Sequence, residues 1–441
     1  MEREELSALW RQEGRKYAAD INEFVRIGMA SNWQQKQQEP EEDKRHRLAG
    51  QVLKQIKAAN QTGSIAELRE QFPPATWPFT NSFSDKMQAV EPIAVMDNGG
   101  ILVQISNSAK PQIYIADANS IEVFTNIYSA GVSPDGNYIA LADDKEIRVI
   151  AQPDRKLQGT VAARYEWTAL QRRMKEILPE YESLADQDKP ASHLTKIVPF
   201  SGGQSLLLVS SAGTFLVEQE QVTLLHPDPA IYGAAHEDED EEDRYIGDAM
   251  VHGAVSPDNR WIAYGGQCSE HLLLDVEKRE AYRIEPLSSY PHYCSFSPDS
   301  KEVWFNACHF YNGETIKVTI SELTDDPADA AADKEWPSVN DEMRVYAAAP
   351  TSQGQILGDA YGYLRLISSE GEELWRHFVG STISGLAVSA DEALLAVGTY
   401  GGMLHLIDLQ SGEKDAFTIG TAPIKEIARW ILWKDEPPLR W

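Results

Sequence analysis

Six side chains of the kinds that ligate metals or act as nucleophiles crowd into residues 268–309: Cys268, His271, His292, Cys294, Cys308 and His309. Zinc would need four such groups converging tetrahedrally. With Pro298 to Lys301 as a hairpin turn, antiparallel pairing sets Cys308 near His292, and Cys294 follows on the same face as His292. Free cysteine is among the most buried residue types, so the three cysteines are read as buried thiols, with no metal and no cofactor expected. Local signatures of other chemistries are missing from the sequence: there is no GxxxxGK[ST] phosphate loop, HExxH helix, GxSxG elbow or paired CxxC. No catalytic residue is assigned.

Two further groups of residues suit binding. Glu237, Asp238, Glu239, Asp240, Glu241, Glu242 and Asp243 form an unbroken acidic run without the Asx spacing and glycine of a calcium loop, so it reads as a solvated segment able to attract a basic partner. Asp143, Asp144, Phe310, Tyr311, Asp359, Tyr361, Tyr363 and Tyr400 fall at turns between apolar strands. Aromatic residues on exposed turns beside acids are what a protein-binding surface shows.

The elements that must position these residues are short strands. The stretch 385–414, GLAVSADEALLAVGTYGGMLHLIDLQSGEK, reads as three strands with tight turns, and Ala416 to Ile419 is expected to supply a fourth. Its strands are apolar nearly throughout, as in a small sheet covered on both faces by others of its kind. Copies occur: the turn after the first strand recurs as SPDG, SPDN and SPDS, making Ser133, Ser256, Ser297 and Ser389 equivalent positions. A spacing near 40 residues per four strands is the signature of β-propeller blades. Seven blades are expected.

Through these turns, and the LIDL and LLDV strands that end in Asp408 and Asp275, the chain resembles the WD-repeat and YVTN-like β-propellers, in a divergent, bacterial-type form. It lacks the Gly-His and Trp-Asp dipeptides of the WD pattern. The resemblance implies a fold and leaves the function to the loops.

The remaining chain decorates that all-β unit. Residues 1–88 read as amphipathic helices, with a capping box at Ser64 to Glu67, and 89–423 as the propeller. Insertions are expected at 168–193, opened by a capping box at Thr168 to Gln171, at 227–248 and at 325–340. The tail, 424–441, holds one more apolar strand, to pair near the start of the propeller or dock on the helices. Because connections between blades and second-to-third-strand turns lie at one rim, the first two insertions and the aromatic turns are expected on the same face.

The chain has 441 residues, and its 40 Lys and Arg against 68 Asp and Glu give a net charge of −28. That charge repels nucleic acid and anionic lipid and favours a basic protein partner. Few cysteines, no signal-type segment and no long apolar run point to the cytoplasm. The expected function is a non-catalytic protein-interaction module or scaffold. The alternatives are an inhibitor or immunity-type protein that neutralises a basic enzyme or toxin, and a hydrolase or lyase with a central propeller pocket.

Overall fold

The Ser-Pro-Asp turns show why this sequence makes repeated hairpins. Each serine Oγ donates to the aspartate two residues on: Ser297 to Asp299 at 2.8 Å, Ser389 to Asp391 at 2.6 Å, and likewise Ser133 to Asp135 and Ser256 to Asp258. The same oxygens accept the backbone N–H that opens the next strand, from Tyr138, Trp261, Glu302 and Leu394 at 2.9–3.0 Å. One side chain thereby closes the turn and fixes the register of two strands.

The computed structural model describes residues 1–105, 111–219, 221–228, 247–323 and 334–441. Seven antiparallel sheets follow in chain order, six of four strands and one of five. Their first strands, from Val90–Val95 through Ile383–Val388, pack side by side around the ring, and the last meets the first. This is a seven-bladed propeller. The ring closes without exchanging strands, by close approach of backbones at glycine: a Cβ on Gly398 would fall 1.7 Å from the Val90 carbonyl oxygen, and one on Gly131 would fall 1.6 Å from that of Ile197. Ser384 Oγ adds a 2.6 Å bond to the same Val90 carbonyl.

Two fourth strands differ from the sequence reading. In blade seven it is Lys425–Ile431, not 416–419. There, Asp415 accepts from the Phe417 N–H at 2.8 Å, Asn22 bonds Thr418 and Gly420, and Ile419 O accepts the Phe378 N–H at 2.9 Å, so the segment bridges the first helix and the outer strand of blade six instead of pairing with the third strand of blade seven. In blade five the fourth strand is Ser338–Asn340, inside the stretch read as an insertion.

The N-terminal helices are α1 (Arg3–Ala30), α2 (Ala49–Thr62), α3 (Ile65–Gln71) and α4 (Trp77–Ser82). With the tail they build an aromatic core in which Trp10 Nε1 donates to Pro73 O at 2.9 Å, Trp441 Nε1 to Phe72 O at 2.8 Å, and the Phe79 and Trp441 rings lie 4.7 Å apart. Trp430 donates instead to Asp117 O of blade one at 2.8 Å, so the tail contacts both the start of the propeller and the helices.

Neither expected capping box forms. Ser64 Oγ pairs with Thr62 at 2.8 Å, and α5 (Trp167–Ile177) begins before Thr168. The apolar side of α5, with Trp167, Leu170 and Met174, is buried against blades two and three. No helix among the described residues is long and apolar enough to cross a membrane.

Candidate functional site

The turn between the second and third strands of blade five has only two residues. His309 pairs with Asn312, leaving Phe310 and Tyr311 to reverse the chain. Such turns need a positive φ, which glycine, asparagine or aspartate supplies cheaply. Here Phe310 adopts it, with φ 57°, and stands 72% exposed. A bulky residue in the left-handed region is an outlier that needs a reason.

The neighbouring turn of blade six is built by Asp359, whose Oδ1 accepts the N–H groups of Tyr361 at 2.9 Å and Tyr363 at 2.8 Å. This Asx turn pushes Tyr361 outward. Its ring lies 5.9 Å from that of Tyr311, and the two are 51% and 64% exposed. Behind them, His309 meets Phe310 edge-on at 4.5 Å and stacks with Tyr290 at 6.4 Å, and Arg344 Nη1 donates to the Phe310 carbonyl at 2.9 Å.

The patch continues inward. The Arg344 guanidinium lies 5.0 Å above the Tyr346 ring, which sits 4.9 Å from His292 and 5.7 Å from Tyr400. Burial pushes the Tyr400 hydroxyl up to about 12 and the His292 imidazole down to about 3, so both are neutral near pH 7. A row of neutral aromatic rings can bury apolar area and accept a cation on its π faces.

Phe310, Tyr311 and Tyr361 come together, and Tyr400 lies behind them. Tyr363 does not join them: it packs on Phe378 at 4.8 Å, half-buried. Asp359 corrects the expectation of an exposed acid. It is fully buried, and desolvation raises its pKa although three backbone N–H groups and Arg365 oppose that. Asp143 builds the equivalent turn in blade two through the N–H groups of Lys145 and Glu146, and exposed Asp144 accepts from the Tyr128 hydroxyl at 3.1 Å. Blade two is three positions from blade five around the ring, so these acids stand apart from the aromatics. The run Glu237 to Asp243 lies outside the described residues.

Sequence reasoning missed Tyr290, Arg344 and Tyr346, and weighed His309 only as a metal ligand. A signal for the site was present: a strand-to-strand turn reading His-Phe-Tyr-Asn without glycine is anomalous.

The cysteine and histidine grouping also changes. A bulge between Pro291 and Tyr293 takes His292 out of the ladder, so Cys308 opposes Tyr290. Cys294 and Cys308 are buried and Cys268 is exposed. Among the described residues no group of three or more His, Cys, Asp or Glu is placed to hold a metal ion.

No family model matches the chain, and no curated protein does. Among solved structures it is similar to the Myceliophteria thermophila Cps50 (Swd1) β-propeller domain, at 12% identity and a TM-score of 0.46, over 71% of this chain and 92% of that one.

Proposed function

We propose that this protein is a non-catalytic interaction module that holds another protein on the turn face of blades five and six. The carrying observation is Phe310, a large apolar side chain kept exposed in a backbone conformation that costs an L-residue about 1–2 kcal/mol. Tyr311 and Tyr361 beside it supply rigid, amphipathic area of the kind that anchors interfaces. A net charge of −28 favours a partner with a basic surface, and an inhibitor that masks a basic enzyme is the narrower reading which that charge supports.

The test is affinity capture of the partner from native extract by the full chain, followed by dissociation kinetics on the purified pair. Tyr361→Ala and Phe310→Gly are each expected to speed dissociation, by about 1–3 kcal/mol if the ring is an anchor. Asp144→Asn, on the far side of the ring, is expected to leave it unchanged. Dissociation that stays at the wild-type rate in both aromatic variants contradicts the proposal.

A further inference from the structure

Where the N-terminal helices meet the outer edges of blades six and seven they leave a cleft of about 90 Å³. That is several times the roughly 10–15 Å³ one water needs. Its walls carry three guanidinium groups, Arg45, Arg69 and Arg429, with His377 and Tyr17.

The carboxylates of the cleft are already engaged. Asp43 is held by Arg45 at 2.7 and 2.9 Å. Glu426 takes Arg429 at 2.7 Å, His405 at 2.8 Å and Arg69 at 3.5 Å. Asp415 is tied to its own loop by the Phe417 N–H and the Thr418 hydroxyl.

The nitrogens are not all engaged. Arg45 and His377 are 6% and 7% exposed, both line the cleft, and Arg45 Nη1 and His377 Nδ1 have no hydrogen-bond partner among the described residues. A buried polar group left this way is destabilising, so two on the walls of one cleft point to an absent partner, which for the always-charged Arg45 is an acceptor. Arg69, by contrast, is engaged, donating to the backbone carbonyls of Trp441 and Glu426.

We propose that this cleft is a small-anion site, taking a phosphate or carboxylate group between Arg45 on the helical side and His377 on the propeller side. An anion there would bridge the two parts of the molecule, and the site is separate from the turn face of blades five and six.

The test uses the full chain, with inorganic phosphate and acetate as separate probes at an ionic strength held constant with sodium chloride. Calorimetric titration is expected to show saturable binding of one of them at one site per chain, with a matching rise in Tm, and the probe that binds identifies the group. Arg45→Gln should raise Kd at least tenfold. Because that variant also unpairs Asp43, crystals of the wild-type chain soaked in tungstate and in bromoacetate give a second readout, with anomalous signal expected between Arg45 and His377. No saturable binding of either probe, affinity undiminished in a folded Arg45→Gln chain, or anomalous signal only outside the cleft overturns the proposal.

Discussion

Under the proposed function, Phe310 sets stability against binding at a single residue. Glycine relieves the left-handed backbone and removes the ring, so Phe310→Gly should leave the urea midpoint unchanged or raise stability by up to about 1 kcal/mol while weakening capture. A packing role predicts the reverse, a loss of stability. The buried histidines make a second prediction at this scale. Burial holds His252 and His377 down to about 4, His292 to about 3, and His271 and His405 below the ordinary value. The unfolded chain binds these protons near pH 6.5 and the native chain only at lower pH, near pH 4 for His252 and His377, so acid favours unfolding as the pH falls below 6.5. Stability should be complete above pH 6.5 and fall steadily towards pH 4. A urea midpoint equal at pH 7 and pH 5 would refute this. The sequence showed where turns place Tyr311 and Tyr361, because turn positions follow from strand spacing. It did not show that Asp359 is swallowed by its own turn, since that depends on three N–H groups converging on one carboxylate.

Among the elements, α5 and the tail serve the propeller's own packing. Met174 is fully buried against blades two and three, so Met174→Ala should cost about 2–5 kcal/mol and leave partner dissociation unaltered. Trp441 has its ring buried against Phe79 and its indole N–H on Phe72 O. Trp441→Ala should cost about 3–5 kcal/mol and loosen α1 to α4 first, seen as earlier proteolysis within residues 1–88. Cleavage spread evenly along the chain would show the helices are not anchored there. Periodicity made the helices and most strands legible. The capping boxes misled because Ser64 had a nearer partner in Thr62, and the fourth strands of blades five and seven were misplaced because each lies farther along the chain from its third strand than a hairpin turn spans.

For the whole molecule, seven blades of one pattern explain how a ring closes without strand exchange, provided glycine stands where neighbouring blades touch, as Gly398 and Gly131 do. The repeat that made this fold readable also hid the candidate site, which stands where one blade departs from its copies. Charge acts at this scale too. Replacing Glu237 to Asp243 with neutral residues should slow association and flatten its salt dependence while sparing dissociation, as long-range attraction does. The central claim, a partner held on the turn face of blades five and six, is met most directly by site-specific photocrosslinking. With p-benzoylphenylalanine in place of Tyr311, irradiation in native extract should give one discrete adduct with another polypeptide, and Tyr361→Ala should abolish it. Adducts formed from position 144 or from α1, with none from position 311, would contradict the claim.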